Sequence, residues 1–133
     1  EEFEGPNTSC FGFALGVERL VSILPAEKIK SIETWPDVFI VRLGNETKNE
    51  SYRVAHELRK NGLNVDNDHE ESSSMKSQMR KANAKASRYV LIIGENELKS
   101  GKYPLKNMTT SEQVEVIAKD LVSEIKKHIA PTF

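Results

Sequence analysis

The sequence predicts an α/β fold: a mixed, mainly parallel sheet of about five strands with helices on both sides, preceded by a short strand–helix segment. Three observations predict it. Residues 38–43 and 89–93 are near-continuous apolar runs, the mark of strands buried on both faces. The stretches between and after them place apolar residues three and four apart, as amphipathic helices do. Glycine, asparagine and proline punctuate the joins.

The opening residues, 1–11, are acidic, apolar and turn-rich, with Gly5, Pro6 and Asn7. Residues 9–14 suit a short strand. From residue 15 to 24 the spacing turns helical, through Val17, Leu20, Val21 and Leu24, and Pro25 ends that helix. Residues 26–36 read as a linker, with Ile29 and Ile32 as anchors and Trp35 packed at a domain edge. The main domain is expected over residues 37–133. Its first strand, 38–43, is followed by the Gly44-Asn45 turn and a helix to about Lys60, with Val54, Ala55 and Leu58 facing inward. Asn61-Gly62 is a helix stop, and residues 63–65 make a short strand. An acidic, serine-rich loop over 66–74 leads to a helix capped by Ser72, Ser73 or Ser74. Met75, Met79, Ala82 and Ala86 form the expected inner stripe of that helix. After the strand at 89–93, Gly94 turns the chain into a short helix closed by Gly101. Residues 102–106 are a weaker strand, and Pro104 within it suggests a sheet edge. Residues 113–117 suit either another strand or the start of the last helix, which carries Leu121, Ile125 and Ile129 on one face.

Composition narrows the function classes. With 133 residues, 38% of them hydrophobic and 29% charged, the chain is globular, about one domain in size. Its longest apolar run, 89–93, is far short of the roughly 20 residues that span a bilayer, so no membrane partner is expected. Cys10 is the only cysteine, which precludes an internal disulfide and suits a reducing cytoplasm. No basic-then-apolar leader is visible, and the chain reads as a section of a longer protein. The net charge of −1 gives no global attraction to nucleic acid, so any RNA binding must be local.

Several chemistries lack their residues. His56, His69, His128 and Cys10 have no ligand spacing, so no metal site is expected. There is no nucleophile elbow, no Walker loop and no dinucleotide-binding glycine motif. Two features remain. Gly12 and Gly16 lack a Cβ, so a flat ligand could approach there, and Arg19 could take a phosphate in bidentate fashion. The same residues also suit packing glycines beside an exposed Glu18/Arg19 pair. The second feature is an acid-free run, 74–94, bearing Lys76, Arg80, Lys81, Lys85 and Arg88. Lys76 and Arg80 share a helix face. That face suits a solvated surface or an anion and RNA contact.

The wording of GFALGVERL, residues 12–20, resembles motif 3 of class II aminoacyl-tRNA synthetases, in its histidyl-family form. The resemblance extends through MKSQMRKA (75–82), similar to a family helix, YVLIIGENEL (89–98), and Ser111-Glu112-Gln113, where Ser111 stands in place of the usual glycine. It implies that residues 1–25 are the end of a catalytic domain and that 37–133 form an anticodon-binding domain. It also implies that Arg19 contacts ATP phosphate over a floor of Gly12 and Gly16. Motifs 1 and 2 and the histidine-recognition motif are missing, so this chain is expected to be inactive in aminoacylation. The longer enzyme would join histidine to its tRNA using ATP with Mg2+, as a homodimer, while this fragment is expected to bind no cofactor. In class IIa anticodon domains the bases are splayed out and read on the sheet side. The positions implied here are Ser72, Glu97 and Lys106, with Gln78 and Gln113 as amide readers and Lys76, Arg80 and Lys81 as backbone holders. A non-charging synthetase-like regulatory subunit, or the anticodon domain of a threonyl, prolyl or glycyl enzyme, are the rival readings.

Overall fold

A computed structural model describes residues 11–25, 27–28, 35–70 and 73–129. The chain divides into two compact units, Glu1–Glu33 and Thr34–Phe133.

In the first unit, residues 11–16 have no regular structure and helix α1 spans Val17–Ser22. The expected strand is therefore absent among its described residues, 11–14. A strand needs a neighbour to pair its backbone groups, and no described strand pairs with this segment. The α1 helix is shorter than its apolar spacing suggested, and none of its residues is buried.

The second unit holds strand β1 (Val38–Arg42), helix α2 (Lys48–Lys60), β2 (Val65–Asn67), α3 (Met75–Ala84), β3 (Tyr89–Ile93), α4 (Glu95–Ser100), β4 (Lys102–Asn107), β5 (Gln113–Ile117) and α5 (Leu121–Ile129). The sheet order is β2-β1-β3-β4-β5. The β2, β1 and β3 strands run parallel, while β3, β4 and β5 pair antiparallel. Chain direction thus switches from one side of β1 to the other between β2 and β3. In open α/β sheets, the crevice at the carboxyl ends of such strands is where ligands bind.

Alternation along the strands builds two cores. On one face Val38, Ile40, Leu91, Ile93, Tyr103 and Leu105 meet Val54, Ala55 and Leu58 of α2 and Leu121, Ile125 and Ile129 of α5. On the other face Phe39, Val41, Val90 and Ile92 meet Ala82 and Met79 of α3. Helices therefore lie on both sides of the sheet, as the spacing predicts. Each fully buried Leu, Ile or Phe in these cores contributes roughly 1.5–3 kcal/mol.

Three local expectations are corrected. The inner stripe of α3 is rotated: Gln78 and Ala82 are buried, whereas Met75 is 44% exposed and Ala86, past the helix end, is exposed. Pro104 does not mark an edge, because β4 lies between β3 and β5. Its missing N–H is harmless on the β3 side, where the register pairs only Leu105 to Asn107. Of the two readings open for residues 113–117, the strand holds: they form the edge strand β5. Trp35 is 62% exposed instead of packed. The punctuation holds more closely: the Ser74 hydroxyl accepts from Ser77 N–H at the α3 N-terminus, and Gly101 ends α4 in the left-handed conformation.

Candidate nucleic-acid interface

The second face of the sheet is covered unevenly. Helix α3 packs over β1 and β3, and beyond it the same face of the β4–β5 hairpin is open: Gln113, Glu115 and Ile117 are exposed and Lys106 is half-buried. Paired residues across strands share a face. Val90 pairs with Lys106, and Lys106 with Gln113, so the lysine and the glutamine stand side by side on that open surface.

Helix α3 borders it. Lys76 and Arg80 are exposed, and neither has an acidic partner among the described residues. The other bases of the acid-free run are spoken for. Lys81 bridges Asp68 and Glu70 at 2.9 Å each, Lys85 pairs with Asp66, and Arg88 lies 3.5 Å from Asp37. The acids come from β2 (Asp66), from the loop after it (Asp68 and Glu70) and from just before β1 (Asp37), distant in sequence and adjacent in space. Burial alone would raise the Asp68 carboxyl. The Lys81 ammonium and the Glu70 N–H, both bonded to it, outweigh burial and hold the carboxyl below its ordinary range. Asp66 is lowered in the same way, with burial opposed by Lys85 and the Asn67 N–H. A cleft of about 380 Å3 runs along this network, between Phe39, Asn67, Asp68, Glu70, Lys81 and Lys85.

The carboxyl ends of β1 and β3 carry glycines and acids. Gly44 has φ +91, a conformation that favours glycine, and an added Cβ would come 2.8 Å from a Glu46 carboxylate oxygen. An added Cβ at Gly94 would come 2.5 Å from Oε2 of Glu97, so the Glu97 carboxylate folds back over the β3–α4 turn. Ser111, which replaces a glycine in the family wording, has φ +63, so the β4–β5 turn keeps a glycine-like backbone.

The sequence-predicted residues thus separate. Lys106 and Gln113 are brought together on the hairpin, Lys76 and Arg80 are exposed on α3, and Glu97 sits at the carboxyl end of β3. Ser72 lies outside the described residues. Gln78 is corrected: it is 1% exposed, and both polar atoms of its amide bond the backbone, so neither is available to a base. Lys81 is ion-paired with Asp68 and Glu70. Sequence reasoning missed Arg42, Asp68 and Glu70. Arg42 is 5% exposed, and its guanidinium donates to the Glu70 carbonyl at 2.7 Å. A charge breaking an apolar run was the available signal.

In the first unit, Arg19 is exposed, and its stem lies 3.7–3.8 Å from where a Gly16 Cβ would be. Nothing lies within 4 Å of the corresponding point at Gly12. Among the described residues no cluster of His, Cys, Asp or Glu could hold a metal ion, and no helix is long and apolar enough to cross a membrane.

A mixed α/β sheet with an open hairpin face, and cations on α3 without acidic partners among the described residues, is a surface that suits a polyanion. A family described as "Anticodon binding domain" matches residues 37–128, and the chain belongs to it. Among curated proteins, the histidine–tRNA ligase of Caldanaerobacter subterraneus is 42% identical over 97% of this chain and 30% of its own length. That of Bacillus cytotoxicus is 41% identical over 87% of this chain and 27% of its own. The crystal structure of histidyl-tRNA synthetase from a Nostoc species superposes with a TM-score of 0.68 at 30% identity, covering 87% of this chain and 28% of that one. The chain therefore spans under a third of the length of these relatives, and the likeness to the histidyl family read from residues 12–20 and 75–113 holds.

Proposed function

We propose that this chain is the anticodon-reading part of a histidine–tRNA ligase. The whole enzyme would use ATP with Mg2+ to attach histidine to its tRNA, as a cytoplasmic homodimer. Residues 1–25 would close its catalytic domain, 26–36 link, and 37–133 read the RNA. The relatives support the parentage. The observation that carries the reading of the surface is the Lys106/Gln113 pair on an open sheet face, with Lys76 and Arg80 exposed on α3.

The division of labour follows from chemistry. The unpaired cations Lys76 and Arg80 hold phosphates, which positions the RNA without reading it. Lys106 and the Gln113 amide offer donors and an acceptor to splayed base edges, and Glu97 accepts from base N–H groups. Arg19, on Gly16 with Gly12 beyond, would supply the one ATP phosphate contact that this chain contains. Only in the whole enzyme would ATP drive the joining reaction.

The test is equilibrium binding of the chain to a histidine-anticodon stem-loop and to the same stem-loop with a changed anticodon. Preference for the native anticodon, reduced by roughly 1–3 kcal/mol in Lys106→Ala, is expected for one lost base contact. Binding that ignores the anticodon and disappears with salt would reduce the surface to a basic patch.

A further inference from the structure

We propose that Gln78 is a positioning residue for base reading, the strut that fixes the phosphate-holding helix α3 against the carboxyl ends of the strands. This rests on the anticodon reading proposed above.

The sheet has a gap beside the end of β1. The β1–β3 register runs to Arg42–Ile93, but the β1–β2 register stops at Ile40–Asn67. Leu43 donates its N–H to the Ile93 carbonyl at 2.9 Å. Alternation then turns the N–H and C=O of Arg42 the other way, toward the side where β2 has already ended. Arg42 is buried, so these groups cannot rely on water. The Gln78 amide supplies what a third β2 rung would have supplied. Its Oε1 accepts from Arg42 N–H at 3.0 Å, and its Nε2 donates to the Arg42 carbonyl at 2.7 Å. Nε2 also donates to the Ser73 carbonyl at 2.8 Å, just before the helix. One N–H and two carbonyls fix which end of the amide is which.

The bond joins two parts of the candidate surface. Gln78 lies between Lys76 and Arg80 in the sequence of α3 and points the opposite way, into the protein. Arg42 is the last β1 residue before Gly44, and its β3 partner Ile93 is the last before Gly94 and the Glu97 turn. A rigid two-point amide pairing sets how far the phosphate holders stand from the base-reading groups. Long lysine and arginine side chains tolerate a shifted helix, while base hydrogen bonds do not. Loss of the strut is therefore expected to cost discrimination before it costs overall binding.

The experiment compares the wild-type chain with Gln78→Met, close in volume and unable to bridge, and Gln78→Glu, which keeps only the acceptor. Binding to native and changed-anticodon stem-loops is measured across salt concentrations. The ratio of the two affinities is independent of how much protein is folded, so a purely structural role would leave it unmoved. The expected result is a preference reduced roughly tenfold or more in Gln78→Met, with an intermediate loss in Gln78→Glu, the scale of one base contact. The slope of affinity against salt should match wild type, because the phosphate contacts survive. An unchanged ratio in Gln78→Met overturns the inference. If that variant does not fold, an unchanged ratio in Gln78→Glu overturns it instead. A wild-type chain with no anticodon preference sinks the anticodon reading itself, and the inference with it.

Discussion

Replacing Tyr103 with phenylalanine should destabilise the second unit by an amount that depends on pH. Tyr103 lies on β4 and is 2% exposed, and its hydroxyl donates to Glu50 of α2 at 2.7 Å. Burial, reinforced by the hydrogen bond to Glu50, pushes its hydroxyl up to about 12. A hydrogen bond to a charged acceptor contributes about 1.5–3 kcal/mol, so Tyr103→Phe should cost roughly 2 kcal/mol at pH 8. The sign at high pH follows from linkage. A raised folded value means that stability is fully present below the unfolded value, near 10, and is lost as pH rises toward 12. At pH 11 the wild type should already have lost about 1.4 kcal/mol through this group, whereas the phenylalanine variant has nothing there to titrate. Urea denaturation followed by circular dichroism at the two pH values measures the difference. The gap between the proteins should narrow by more than half at the higher pH. A gap that stays constant would refute the assignment of the shift to the Tyr103–Glu50 contact, and no gap at all would refute the contact's contribution.

Lys76→Ala and Arg80→Ala should each weaken every stem-loop alike and lower the salt slope by about one, which a salt titration reads directly. Gly94→Ala should leave stability within about 1 kcal/mol, since its backbone is ordinary for any residue and only the movable Glu97 tip blocks a Cβ. If Glu97 reads a base, the same variant should lose anticodon preference in the binding assay. Asp66 and Asp68 both sit below the ordinary carboxylate value, so their contribution is present above the unfolded value near 4 and is lost as pH falls below it. An Asp68→Asn variant should therefore show a shallower loss of stability than wild type in acid denaturation.

Much of the fold was legible because its signals are local. The apolar runs at Val38–Arg42 and Tyr89–Ile93 announce buried strands. Gly62 and Gly101 have positive φ where helix stops were expected. The spacing of Val54, Ala55 and Leu58, and of Leu121, Ile125 and Ile129, gives the buried faces of α2 and α5. What failed depends on partners distant in the chain. Pro104 reads as an edge residue until β5 pairs outside it. The basic run reads as free charge until Asp37, Asp66, Asp68 and Glu70 fold against it. Gln78 reads as a surface amide because nothing local shows that β2 stops short and leaves Arg42 in need of a partner. For the candidate interface, helical and strand alternation could place Lys76, Arg80 and Gln113 at the surface, but only the register sets Lys106 beside Gln113.

The most direct test of the central claim, that the open hairpin face and the carboxyl end of β3 read the anticodon, is an NMR titration. The 15N-labelled chain is titrated with a histidine-anticodon stem-loop, then with one whose anticodon bases are changed. Amide shifts are predicted at Gly94, Glu97, Lys106 and Gln113 with the native loop and should shrink with the altered one. Shifts at Lys76 and Arg80 should persist with both. Shifts confined to the exposed face of α3, the same for either anticodon, would contradict the account.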